Sequence, residues 1–189
     1  MAVRDIIRMG HPTLRKAAEP VPEALFGTAE FEQLLTDLAD TLEASGGIGL
    51  AAPQIDVSLA VLLIDLPGGP SRYGELPVIR KRYFVNPTLT VLDHNTAGYW
   101  EGCLSVPGLR GFVERPQQLQ VNALTVTGEP IELRFEGFAA TVMQHEFDHL
   151  AGLLYVDHIR DPRLLMFEPE YERFVLGQEP TESLDEVAG

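Results

Sequence analysis

The sequence predicts an α+β fold, and three observations carry that reading. Two stretches, Thr28 to Ser45 and Gly137 to Leu150, repeat apolar residues at helical spacing. Four shorter stretches are rich in β-branched and apolar residues, and the last two flank Gly128-Glu129-Pro130 as the arms of a hairpin would. The second helix also carries His145 and His149, four residues apart and therefore on one face.

In chain order, the first helix has Phe31, Leu34, Leu35, Leu38, Ala39 and Leu42 as its apolar stripe, Thr28 as its cap and Gly46-Gly47 as its stop. Small residues then crowd the segment Gly47-Ile48-Gly49-Leu50-Ala51-Ala52-Pro53-Gln54. Leu59 to Asp65 is a continuous apolar run, expected to be a buried strand. Pro67 to Arg82 holds two Pro-flanked turns and the basic cluster Arg80-Lys81-Arg82, and is expected to be a surface loop. Tyr83 to Asp93 is expected to be a strand that Pro87 confines to an edge or a bulge. Gln118 to Thr127 and Ile131 to Phe135 form the hairpin. On the second helix Phe138, Val142, His145 and His149 share a stripe. From Met166 to Gly189 seven acidic residues stand against one Arg. Phe167, Tyr171, Phe174 and Val175 fit a short closing helix there, and residues 179–189 are expected to be a disordered acidic tail. No repeat or linker divides the chain, so a single domain over residues 1–189 is expected.

With 45% hydrophobic residues the chain can bury a core. Its net charge of −14 and pI near 4.6 argue against direct nucleic-acid binding, which needs a basic face, and against anionic membrane surfaces. The single cysteine excludes an intrachain disulfide. Arg4, Asp5 and Arg8 interrupt the first nine residues, so no signal peptide is expected there. No apolar run is long enough to span a bilayer. A cytoplasmic protein is expected.

The strongest chemical signal is His145-Glu146-Phe147-Asp148-His149. Two imidazoles stacked on one helical face can share a metal ion. The Glu after the first His then lies beside the open coordination position, where it can take a proton from water. A chance match is expected on the order of once in a hundred such chains, so metal binding is the better reading. A catalytic centre of this type needs a third protein ligand. Gly152 has the offset of a three-histidine protease pattern, but position 155 is Tyr and His158 comes three residues too late. Glu168, Glu170 or Glu172 could serve from a following helix. Cys103 is the other candidate, although a lone cysteine is more often a small buried hydrophobe.

Three segments together are similar to peptide deformylases: residues 47 to 54, Glu101-Gly102-Cys103-Leu104-Ser105, and Gln144-His145-Glu146-Phe147-Asp148-His149-Leu150. The opening Gly10-His11-Pro12-Thr13-Leu14-Arg15 is similar as well, and the resemblance spans roughly residues 4 to 170. It implies removal of the formyl group from the N-terminal formyl-methionine of nascent chains. It implies mixed and antiparallel β-structure wrapped around the helix that carries the histidines. It implies Fe²⁺ held by Cys103, His145 and His149, with Zn²⁺, Ni²⁺ or Co²⁺ as substitutes.

On that reading the metal lowers the pKa of a bound water, and Glu146 is the general acid/base. Gln54 and the Leu104 N–H are the donors to the oxyanion. Ile48 and Gly102 can pair with the main chain of an extended substrate, Gly49 lets it approach closely, and Ile48, Val142 and the stem of His145 wall the methionine slot. Glu101, Arg110 and Arg115 belong to ion pairs behind the site. Some family members dock to the ribosome through a basic C-terminal helix, and the acidic tail departs from that pattern. Two other classes of function remain in view. One is a metalloprotease with a Glu among positions 168 to 172 as third ligand, and the other is a metal-stabilised binding domain without catalysis.

Overall fold

The computed structural model describes residues 3–71 and 74–177, without the side chains of 70–76. The first helix, α1 (Ala29–Ser45), starts where the Thr28 side chain accepts a hydrogen bond from the Phe31 N–H. It stops at Gly46, whose φ of 66° is the left-handed cap conformation that glycine adopts without strain. Its buried face is Phe31, Leu34, Leu38 and Leu42, the expected stripe.

Six strands follow: β1 (Gly49–Ala51), β2 (Val61–Ser71), β3 (Gly74–Cys103), β4 (Val106–Leu124), β5 (Pro130–Glu136) and β6 (Leu165–Phe167). β1 to β5 are hydrogen-bonded in sequence order, and β6 pairs with β4. Every pairing between these strands is antiparallel, so the mixed component reduces to one isolated parallel bridge between Glu19 and Leu59. Between β5 and β6 lies α2 (Gly137–Leu150). The chain closes with α3 (Glu168–Tyr171) and one π-helical turn, Glu172–Leu176.

β2 shows why its sequence is apolar without alternation. Leu62 and Ile64 face the core that α2 covers, together with Phe84, Leu119, Val121, Phe135, Ala140 and Met143. Val61 and Leu63 face the opposite way, into the core that α1 covers, with Phe31, Leu38, Leu42, Leu50 and Ile55. A strand buried on both faces has no polar side to display.

Within the segment expected to be a loop over Pro67 to Arg82, residues 67–71 and 74–82 are instead paired antiparallel and prolong β2 and β3, with Pro67 opposite Val78 and Gly69 opposite Leu76. Its prolines and glycines are the residues that usually break a strand. They are tolerated because a shift in register between Ile64 and Leu66 and the positive φ of Gly68 and Gly69 absorb the irregularity. Pro87 lies where the β3–β4 register slips between Val85 and Thr88, beside Asn86 at φ 50°, which is the expected bulge. The strand does not end at Asp93 but runs on to Cys103, and so delivers the cysteine to the site. The closing helix is short. Tyr171 is buried, while Phe167 and Phe174 are exposed rather than packed. Residues 179–189, expected to be disordered, lie outside the described residues. No described helix is long and apolar enough to cross a membrane.

Candidate metal centre

α2 packs across the sheet, touching β1 through β5, and presents the two histidines to the β3–β4 turn that holds Cys103. Cys103, His145 and His149 each offer one ligand atom, and these atoms lie within 4.8 Å of one another. Sγ of Cys103 is 3.4 Å from Nε2 of His149. Nδ1 of His145 lies 2.7 Å from Oε2 of Glu101. A carboxylate only accepts, so His145 donates there and keeps Nε2 for a ligand. Burial opposes the Cys103 thiolate, but the two imidazoles outweigh it and hold the pKa well below the ordinary thiol value. Burial likewise opposes the His145 cation, and its bonds to Cys103 and Glu101 outweigh it and raise its pKa. One thiolate and two imidazoles, converging with His149 buried and the other two half-buried, are a donor set that fits a divalent transition metal.

Glu146 stands beside this cluster. Its Oε2 is buried without a hydrogen-bond partner among the described residues. Burial pushes its pKa up to about 7, against the pull of both histidines. A Cβ on Gly49 would sit 2.3 Å from its Oε1, so the carboxylate occupies space that only glycine leaves open. Gln54 is oriented at both ends. Its Oε1 accepts from the Ala51 N–H at 2.9 Å, and its Nε2 faces Ser105 Oγ at 3.2 Å and Cys103 Sγ at 3.6 Å. The Ser105 N–H also donates to the Cys103 sulfur at 3.4 Å.

A cavity of about 790 Å³ opens onto these groups, within the range of small-molecule and peptide sites. Ile48, Gly49, Gln54, Gly102, Leu104, Val142, His145 and Glu146 all line it. Glu101 holds His145 and is itself clamped by Arg115, whose Nε donates at 2.6 Å and Nη2 at 3.1 Å. Burial works against the Glu101 carboxylate, but His145 and Arg115 outweigh it and lower the pKa. Arg115 also reaches Asp148 at 2.8 Å, and Asp148 accepts from His158 Nε2 at the same distance.

Arg110 is not part of this network. It lines the cavity and pairs with Glu168. Among the described residues the metal-ligating group contains neither Glu168 nor its neighbours; Glu168 is engaged by Arg110, and Glu170 and Glu172 are exposed. Three contributors had no assigned role in the sequence reading. Ser105 orients Gln54, Tyr155 stacks on His145 at 6.0 Å, and His158 caps Asp148. Ser105 is two residues from the cysteine, a local signal that was available; the other two depend on how the chain returns after α2.

Comparison with known proteins agrees with this geometry. A profile of the polypeptide deformylase family matches residues 3–164. The chain is 38% identical to a peptide deformylase of Leptospira biflexa over 172 residues, covering 91% of this chain and 96% of that one. It is 45% identical to peptide deformylase 1 of Prochlorococcus marinus, with 91% and 88% covered. Among solved structures it is similar to the class I type b peptide deformylase of Acinetobacter baumannii with Met-Ala-Ser bound. That match has a TM-score of 0.77 and 34% identity, and covers 83% of this chain and 99% of that one. The Thermotoga maritima peptide deformylase matches with a TM-score of 0.73 at 32% identity, covering 85% and 100%.

Proposed function

The chain belongs to the polypeptide deformylase family and removes the formyl group from the N-terminus of newly made peptides; we propose that Cys103, His145 and His149 hold its metal and that Glu146 moves the protons. The observation that carries the assignment is the convergence of three ligand atoms within 4.8 Å beside a buried carboxylate oxygen with no partner. A divalent cation bound there supplies Lewis acidity, lowering the pKa of nearby water and drawing charge from a carbonyl oxygen. Fe²⁺ is the proposed ion, with Zn²⁺, Ni²⁺ or Co²⁺ as substitutes.

Glu146 accepts the proton that water loses as it attacks the formyl carbon. It then returns that proton to the amine nitrogen as the C–N bond breaks. A group with its pKa close to neutral can do both, and a neighbouring cation draws Glu146 toward the ionised form that begins the cycle. The Gln54 amide and the Leu104 N–H donate to the oxygen that gains charge. Ala51 fixes the oxygen end of the Gln54 carboxamide before substrate arrives, so only the Nε2 contact to Cys103 has to be exchanged for the new oxygen. Ile48, Gly49 and Gly102 run beside the substrate main chain, and Val142 walls the methionine slot. Glu101 keeps the His145 ring aimed, and Arg115 keeps Glu101 charged.

We further read α2 as the helix around which the sheet wraps, supported by its contact with all of β1 to β5. The proposed setting is the cytoplasm, near the ribosome exit where nascent chains emerge. The test is formate release from formyl-Met-Ala by protein prepared anaerobically with Fe²⁺, beside Cys103→Ala. Loss of both metal and turnover in the variant is expected; metal retained by the variant would refute the ligand assignment.

A further inference from the structure

One wall of the cavity carries an ion pair that the chemistry above does not use. Nε of Arg110 donates to Oε1 of Glu168 at 2.9 Å, and Nη2 contacts the same oxygen. The two side chains are only 17% and 35% exposed, and both line the cavity. The guanidinium rests on Gly102, where a Cβ would lie 2.0 Å from Nη1. Gly102 is therefore the seat of Arg110, one residue before Cys103. Glu168 arrives from the far end of the chain, held by the pairing of Arg110 with Met166 and of Gly111 with Leu165, and by Tyr171 packed on Trp100 at 5.2 Å.

Glu168 engages the Nε and Nη2 side of the guanidinium and leaves Nη1 on the side of Gly102, the strip along which the proposed substrate runs. An enzyme that processes nascent chains meets every kind of residue after the methionine. A lone arginine in this wall would attract acidic chains and repel basic ones, because charge interactions in a partly buried cleft are stronger than in open water. We propose that Arg110 receives the substrate downstream of the methionine, and that Glu168 is a positioning residue that seats Arg110 on Gly102 and cancels its charge, so that the site is indifferent to the charge of the nascent chain. This rests on the deformylase reading.

The test compares wild type, Glu168→Gln and the double variant Glu168→Gln with Arg110→Gln, all loaded with metal. Preference is read in two ways: kcat/KM for formyl-Met-Ala-Glu against formyl-Met-Ala-Lys, and binding of Met-Ala-Glu against Met-Ala-Lys by quenching of Trp100, the only tryptophan, which lines the cavity. Wild type should show a ratio near one in both. Glu168→Gln should favour the acidic peptide about fivefold or more, mainly through KM, and the double variant should return toward one. Glu168→Asp should behave as wild type. An unchanged binding preference in Glu168→Gln overturns the inference whatever the turnover, as does a shifted preference that survives loss of Arg110. Absence of formate release by wild type would instead overturn the deformylase reading, because the binding measurement does not depend on turnover.

Discussion

Replacing Glu146 by Gln in metal-free protein should stabilise it above neutrality and change little near pH 4.5. The carboxyl is buried, and one of its oxygens has no partner among the described residues. Burial raises its pKa from 4.5 to about 7. In the unfolded chain it ionises at the ordinary value, so between about pH 4.5 and 7 the unfolded state releases a proton that the folded state retains. The raised folded pKa therefore contributes stability that is intact below about pH 4.5 and is lost as pH climbs to about 7.

The gap between those two values corresponds to about 3 kcal/mol. Gln keeps the shape and has no charge to desolvate, so it escapes the loss. Urea unfolding of chelator-treated wild type and Glu146→Gln, followed by Trp100 fluorescence, should show the variant ahead by about 3 kcal/mol at pH 8 and by less than about 0.5 kcal/mol at pH 4.5. Equal stability at both pH values would refute the idea that this carboxylate sits charged and unpaired in a dry pocket. Adding a divalent metal should shrink the gap at pH 8, since a nearby cation favours the ionised acid.

Three other outcomes are expected. Arg115→Ala strands two buried carboxylates, Glu101 and Asp148, and should cost about 3–5 kcal/mol in thermal or urea unfolding; a loss below about 1 kcal/mol would contradict the clamp. Gly49→Ala pushes a methyl group into Glu146, so formate release should fall about 100-fold with metal content unchanged; normal turnover would show that the carboxylate has room to move. In metal-free protein the imidazole-stabilised Cys103 thiolate should react with iodoacetamide at a rate that levels off below the ordinary thiol range, and bound metal should block it. A rate still climbing through the ordinary thiol range would remove the thiolate from the site.

The legible parts of this protein are those whose cause is local. The α1 stripe, its Thr28 cap and its Gly46 stop are nearest-neighbour chemistry, and so is the four-residue spacing that stacks His145 and His149 on α2. The double-sided burial of β2 was visible in the unbroken run of Val61 to Ile64. The pairing of residues 67–71 with 74–79 was not legible, because the glycines and prolines there carry the same local signal as a loop and only long-range pairing distinguishes the two. Cys103 could be tied to the histidines only through the resemblance of three motifs; nothing in its own neighbourhood announces a partner 42 residues further on. The placement of Arg110 was hidden for the same reason. It is determined by β6 returning to β4, a contact between residues more than fifty positions apart.

The length of β3 has a consequence for how the molecule opens. One continuous strand, Gly74–Cys103, pairs with β2 along its first part and with β4 along the rest, and it ends at the metal-ligating cysteine. The sheet therefore has no seam at which one half could detach while the other stays paired. Amide protons along β2, β3 and β4 should exchange with solvent as one cooperative unit, at the free energy of global unfolding. β6 pairs with β4 at three positions, and α3 adds the packing of Tyr171 on Trp100 and the Glu168–Arg110 ion pair, a shorter attachment than the ladders of β2, β3 and β4, so this segment breathes at lower cost. Breathing there lifts Glu168 away from Arg110 and leaves the cysteine, the histidines and Glu146 in register, so the mouth of the cavity can loosen without disturbing the chemistry behind it.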